Sequence, residues 1–280
     1  MSLNKLFVEG KLDVEIYTSV FAGSITIERG GSKNSLRPQA GNDRKVGIHA
    51  GYLRDRDFDF SPPEKMDVPT VDSPKADQPW GWRLNRHEVE NYLLDPKVIQ
   101  AKFSIQEGIW QQHLCEAGRQ IRWYQIARWV VGHARANLPP NYKLQTSPED
   151  VDEMRLPLDL NEQPSLQWCR ETIRDYLTRV TGALKEETVE AQIEVLRNQF
   201  SDELLDDPLR VATWCSGKDL FAALSDAALQ ATKIPNAKSL CNILRDWVMV
   251  NPETFLGLIP ELAALKQQIS GASPLGASNG

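Results

Sequence analysis

The spacing of apolar residues changes partway along this 280-residue chain. Up to about residue 105, short apolar runs of strand length alternate with turn residues and one amphipathic stretch, Leu12 to Phe21. From about Glu107 onward, apolar residues recur at helical spacing almost throughout. Strands joined through a helix favour a parallel sheet over hairpins. We therefore predict an α/β domain over 1–105, a mainly α-helical domain over 106–270 and a disordered tail over 271–280.

The individual elements follow from the same patterns. Strands are predicted at Leu6–Val8, Ser24–Glu28, Lys45–Leu53 and Trp82–Leu84, with an exposed Pro- and Asp-rich loop over 61–80. Asp95 followed by proline is typical of a helix start. Helices are predicted over Pro96–Phe103, Ile109–Asn137, Ser165–Val180, Glu186–Leu205, Lys218–Thr232, Ala237–Val250 and Pro252–Ile269.

Composition limits the classes of function. The net charge of -6 argues against a protein that holds nucleic acid by bulk positive charge. No apolar run is long enough for a membrane span and no secretory signal is evident, so we expect a cytoplasmic protein. The four cysteines and four histidines are too dispersed for a zinc site. A metal site in this chain would therefore use oxygen ligands.

Two acidic side chains follow the predicted strand that ends at Leu53. Asp55 and Asp57 are two residues apart in LRDRDFDF, so in an extended chain both carboxylates, with that of Asp59, lie on one side. Clustered carboxylates repel one another without a cation and suit Mg²⁺ or Mn²⁺. The alternative is a solvated strand end in which the neighbouring arginines pair with these aspartates.

Glu9 comes directly after the first predicted strand and precedes Gly10. In a parallel sheet it would lie at the same carboxyl edge as Asp55. A Glu-Gly turn after the first strand with a later Asp-x-Asp, here Glu9-Gly10 and Asp55-x-Asp57, resembles the TOPRIM domain of topoisomerases, primases and OLD-type nucleases. The resemblance implies a TOPRIM-like parallel sheet flanked by helices, with Mg²⁺ or Mn²⁺ held by these acids.

A second segment extends the resemblance. Asn85–Leu94 (NRHEVENYLL) is similar to a segment of a TOPRIM-like family often found beside ABC-type ATPases, which includes the effector nuclease of the PARIS anti-phage system. By that likeness Glu90 joins Glu9, Asp55 and Asp57 as a catalytic and metal-binding residue. The segment Ser216–Leu224 (SGKDLFAAL) is also similar to part of that family.

Other positions have two interpretations each. Gly30–Asn34 is either a phosphate cradle or a plain turn, and Lys218 is either a phosphate contact or a solvated lysine at a helix start. Arg119 and Arg122 lie among aromatic residues in the long predicted helix, a combination used to bind nucleic acid. In the same helix Trp110, Leu114, Ala117, Ile121 and Tyr124 form a predicted core stripe, which favours core packing with solvated arginines.

The resemblance implies a metal-dependent nuclease that hydrolyses RNA, such as tRNA, or DNA. It also implies an anti-phage toxin held in check by an ABC-type (SMC-like) ATPase partner and active as a homodimer. Asp55 and Asp57 would hold the metal and Glu9 would share it or transfer protons. The alternatives are a non-catalytic TOPRIM-like scaffold of an ATPase complex and an enzyme that hydrolyses nucleotides. Topoisomerase activity is disfavoured, because no motif marks a nucleophilic tyrosine.

Overall fold

A computed structural model gives the structure of the chain and describes residues 2–23, 25–72, 79–136, 165–180 and 185–271. The described chain divides into two compact units. Of the described residues, those within Met1–Arg56, Pro62–Leu93 and Cys241–Gly280 form the first unit, and those within Asp57–Ser61 and Leu94–Leu240 form the second. The predicted tail lies almost wholly outside the described residues.

The first unit contains a five-stranded mixed sheet. Its strands are β1 (Lys5–Val8), β2 (Thr26–Arg29), β3 (Ala50–Arg54), β4 (Thr70–Val71) and β5 (Gly81–Arg83). The strand order is β2-β1-β3-β5-β4, with β4 antiparallel to β5 and the other pairs parallel. The predicted α/β class with a helical C-terminal region is confirmed. The short strand β4 lies inside the segment that the sequence predicted as loop.

Fourteen helices occur in the described residues. Apart from α2 and α9, they coincide with the predicted helical regions or, for α3, lie within Asn85–Leu94. Their bounds are α1 (Lys11–Val20), α2 (Lys33–Lys45), α3 (Glu90–Leu93), α4 (Pro96–Phe103), α5 (Glu107–Ala136), α6 (Leu166–Val180), α7 (Glu186–Gln199), α8 (Asp202–Leu205), α9 (Pro208–Trp214), α10 (Gly217–Ala222), α11 (Asp226–Thr232), α12 (Ala237–Val250), α13 (Pro252–Leu258) and α14 (Pro260–Ser270).

Helix α2 is the main difference from the sequence prediction, which placed a strand from Lys45 onward. Lys45 instead ends α2, and β3 begins only at Ala50. The helix has a weak sequence signal because Leu36 and Ala40 are its only buried residues and Pro38 lies within it. These two side chains pack with Phe7, Ala50 and Tyr52 on one face of the sheet. Tertiary packing therefore outweighs the poor helix propensity.

The C-terminal helices α13 and α14 belong to the first unit, whereas the sequence pattern grouped them with the helical domain. The Leu3 N–H donates to the Ile269 carbonyl at 3.0 Å, and the Trp82 indole N–H donates to Gln268 Oε1 at 2.7 Å. Helix α13 also packs on α1. The first unit is thus completed by chain segments that are far apart in sequence.

The second unit is organised around the long helix α5. All members of its predicted core stripe are buried, so the core interpretation is confirmed. The Trp129 indole stacks edge-to-face on Phe58 at 5.4 Å between ring centroids. Gly132 lies against the Phe58 backbone so closely that a Cβ there would be 2.2 Å from the Phe58 carbonyl oxygen.

Candidate metal centre

The site begins where the neighbouring parallel strands β1 and β3 end. Glu9 follows the last residue of β1, and Asp55 follows the last residue of β3. The Asp55 N–H donates to Glu9 Oε1 at 3.1 Å, which brings the two residues together as the sequence predicted. The adjoining Gly10 N–H donates to the Asp13 carboxylate at 2.7 Å, and this bond fixes the turn from β1 into α1.

The pairing of β3 with β5 continues beyond the ends of both strands. The Leu84 N–H donates to the Arg54 carbonyl at 3.0 Å, and the Arg56 N–H donates to the His87 carbonyl at 3.0 Å. The buried Arg56 guanidinium also donates to the Asn85 carbonyl at 2.8 Å. Because His87 is held in this way, the next residue, Glu88, lies beside the end of β3.

Three carboxylates gather at this point. Asp55, Asp57 and Glu88 each offer one oxygen, and these oxygens lie within 4.8 Å of one another. Asp57 is joined to Asp55 through a single residue, so the local chain sets their separation. Its φ of 50° is in the left-handed region, which aspartate adopts more readily than most residues. An all-oxygen donor set of this kind fits a hard divalent cation such as Mg²⁺ or Mn²⁺.

The group shares two of the four predicted ligands, lacks the other two and contains one residue that was not predicted. Asp55 and Asp57 belong to it, and Glu9 is hydrogen-bonded to Asp55 without being a member. Glu90 is the first residue of α3, is buried and is also not a member. Glu88 takes part instead. Glu88 lies two residues before Glu90 in the same acidic segment, which is the only sequence signal for it. Because the chain from β5 to α3 is irregular, the sequence does not indicate which of these two acids faces Asp55.

The expectation of an extended chain through Asp59 is wrong. Strand β3 ends at Arg54, and the left-handed conformation of Asp57 turns the chain. The carboxylate of Asp59 pairs with Arg135 of α5 within the second unit. The aspartates are therefore not three equivalent members of one strand face.

Glu261 of α14 holds the segment that carries Glu88. Its Oε1 accepts from the Asn85 N–H at 2.7 Å, and its Oε2 accepts from the Tyr92 hydroxyl at 2.5 Å. Burial raises the pKa of Glu261 from 4.5 to about 7, against the lowering effect of these two hydrogen bonds and of nearby guanidinium groups. One buried carboxylate thus ties both ends of the Asn85–Tyr92 segment to α14.

The remaining predicted contacts lie in the second unit. Arg119 pairs with Asp206 and Arg122 pairs with Asp202 on the exposed side of α5, so neither arginine is simply solvated. Lys218 is exposed at the second position of α10, whose N-cap is Ser216.

The glycines at 30 and 31 lead into α2, as a turn does. Gly31 has a φ of 81°, which glycine adopts without strain. The Gly30 carbonyl accepts hydrogen bonds from Ser35 and Gln39 of α2. These bonds favour the plain-turn interpretation.

Three of the four cysteines are unsuited to act as nucleophiles. Cys115, Cys169 and Cys215 are buried and pack as small hydrophobic residues. Burial raises the pKa of the Cys169 thiol to about 12 and raises that of Cys215 further. A thiol with so high a pKa is protonated near neutral pH and is a poor nucleophile.

Within the described residues, no helix combines the length and the apolar character needed to cross a membrane. Comparison with protein-family models gave no match, and comparison with curated protein sequences gave none either.

Proposed function

We propose that this chain is a metal-dependent nuclease that hydrolyses phosphodiester bonds in RNA or DNA. The observation that carries the metal site is the group of carboxylate oxygens of Asp55, Asp57 and Glu88 within 4.8 Å of one another. The choice of nucleic acid as substrate rests on the TOPRIM resemblance of Glu9-Gly10 and Asp55-x-Asp57. Inhibition by an ABC-type ATPase, a role in anti-phage defence and homodimerisation on activation rest on that resemblance too.

The residues have separate roles in this proposal. Asp55, Asp57 and Glu88 would hold Mg²⁺ or Mn²⁺, which when bound supplies a Lewis acid and lowers the pKa of water. Glu9 fixes the Asp55 backbone through its hydrogen bond and adds negative charge beside the site. Arg56 and Glu261 position the Glu88 segment from the other side.

The test is cleavage of plasmid DNA and total tRNA with Mg²⁺, Mn²⁺ or EDTA. Asp55→Asn and Glu88→Gln should each abolish metal-dependent cleavage, whereas Glu64→Gln, which removes an exposed carboxylate of the same unit, should leave it intact. Glu90→Gln tests whether Glu90 is needed as the sequence predicted, because a loss as complete as that of Glu88→Gln would add Glu90 to the site.

A second readout separates the metal site from the reaction. Calorimetric titration with Mn²⁺ measures binding to the purified chain without a substrate. Binding without cleavage, with or without an ATPase that co-purifies from the host, would contradict the nuclease and favour a metal-binding scaffold. If neither binding nor cleavage occurs, the metal centre itself is refuted.

A further inference from the structure

A basic groove lies on the α2 side of the sheet in the first unit. Its volume is about 780 Å³, and among its lining residues are Lys33, Arg37 and Lys45 of α2, Arg54 of β3 and Trp80. None of the described lining residues is acidic. In a chain with a net charge of -6, such a concentration of positive charge needs a physical explanation.

Three of the four cations of α2 line the groove. Lys33 and Arg37 are four residues apart and Lys45 is eight residues further on, so the three side chains lie in one row. Lys33 is the first residue of α2 and Lys45 the last, a distance of about 18 Å at 1.5 Å per residue. At a rise of about 3.4 Å per stacked nucleotide, this row matches about five nucleotides of a strand.

The side of the groove opposite α2 contains a cation, Arg54, and an aromatic ring, that of Trp80. Arg54 is held by Asp72 at 2.6 Å, and Asp72 also accepts from the Tyr52 hydroxyl at 3.0 Å. The partly buried Trp80 packs edge-to-face on Tyr52. Arg54 immediately precedes Asp55, so the groove reaches the carboxyl end of β3 where the candidate metal centre begins.

We propose that this groove binds the backbone of a single-stranded nucleic acid. The row of cations contacts successive phosphates, and Trp80, whose ring has the Arg44 guanidinium 5.4 Å from its centroid, offers the rest of its exposed surface to an unpaired base. Gly41, which lies in the row between Arg37 and Lys45, keeps the groove open: a Cβ there would be 4.0 Å from the Trp80 ring, and a longer side chain would enter the groove. The inference rests on the proposed function for its choice of ligand, and it assigns the substrate contact.

The test is fluorescence anisotropy of a labelled 12-nucleotide strand, as RNA and as DNA, with the full chain in EDTA. Because Asp72 neutralises Arg54, only Lys33, Arg37 and Lys45 are expected to contact phosphates. A plot of log Kobs against log salt concentration should therefore have a slope of about -2. Each of Lys33→Gln, Arg37→Gln and Lys45→Gln should reduce that slope by about 0.7, and the triple variant should bind about tenfold more weakly or worse at low salt. Lys11→Gln, which removes an exposed lysine of α1, is the matched control.

A variant that places a long, negatively charged side chain in the groove tests the proposal without removing a cation. Gly41→Glu should abolish binding, whereas Gly41→Ala should bind like the wild type, with melting temperatures showing that both variants fold. The inference is overturned if the wild type does not bind the strand, if the triple variant or Gly41→Glu binds as tightly as the wild type, or if AMP competes as well as the strand does. Strand binding by the wild type without metal-dependent cleavage would contradict the nuclease and leave the groove assignment intact.

Discussion

Replacing Glu261 by glutamine should change how stability depends on pH. Glu261 is buried, and burial raises the pKa of its carboxyl from 4.5 to about 7. Between these values the folded chain binds a proton that the unfolded chain releases, so the free energy of unfolding falls as pH rises. Below pH 4.5 both states are protonated and no penalty exists, whereas above pH 7 both are ionised and the penalty is constant. Glutamine has the same shape and does not titrate.

The magnitude follows from the two pKa values. A rise of about 2.5 in pKa corresponds to a maximum of about 3 kcal/mol, of which about 2.5 kcal/mol develops between pH 5 and pH 8. The Glu261→Gln variant should therefore gain about that much stability relative to the wild type over this range. Both hydrogen bonds, from the Asn85 N–H and with Tyr92, remain possible for an amide.

The assay is urea unfolding of the wild type and the variant at several pH values from 5 to 8. Glu253→Gln is the control, since Glu253 is an exposed glutamate of α13 that pairs with Lys266, and its removal should change stability by less than about 1 kcal/mol at every pH. A constant difference between wild type and Glu261→Gln across the range would refute the reasoning. So would a relative loss of stability in the variant as pH rises.

Three further perturbations have definite expected results. Gly132→Ala should lower the free energy of unfolding by about 3 kcal/mol in urea titrations, because the new Cβ meets the Phe58 backbone. This loss outweighs the better helix propensity of alanine. An unchanged urea midpoint would contradict the close approach of Gly132 to Phe58. Asp72→Asn should cost about 2 kcal/mol in thermal unfolding because Arg54 loses its anionic partner, and a loss under 0.5 kcal/mol would contradict the role of that pair. Mn²⁺ at 100 times its Kd should stabilise the wild type by about 2.7 kcal/mol in thermal scans. Asp55→Asn should lose this stabilisation, and without metal it should be more stable than the wild type because one of the clustered negative charges is removed. Equal stabilisation of both proteins by Mn²⁺ would exclude Asp55 as a ligand.

The sequence predicted the elements whose stability depends on their own residues. Strand β1 and helices α4 and α12 were predicted because the apolar spacing and the capping residues within each segment indicate its structure. In α4, Asp95 accepts from the Lys97 N–H at 3.0 Å, as expected of an N-cap. Helix α2 was missed because only two of its residues are buried and its stability comes from the sheet against which they pack. The row of cations on α2 was not predicted either, because Lys33, Arg37 and Lys45 line up only when this segment is helical.

The candidate site was predicted in part for a similar reason. Glu9 and Asp55 were expected to meet because parallel strands place their carboxyl ends at one edge, and the hydrogen bond between them confirms this. The choice of Glu88 over Glu90 depends on the Arg56 bond to the His87 carbonyl, which no local pattern encodes. The contact of Glu261 with Asn85 joins residues far apart in sequence, which periodicity alone does not detect.

The discontinuous first unit has a consequence for folding during synthesis. The Asn85–Tyr92 segment leaves the ribosome well before Glu261, and at 5 to 20 residues per second the intervening chain takes roughly ten to thirty seconds to make. During that interval the α1 side of the sheet lacks α13 and α14. The nascent chain therefore exposes apolar surface that a chaperone would bind, and the Asn85–Tyr92 segment, which carries Glu88 of the candidate metal centre, acquires its contact with Glu261 only when the last helices emerge.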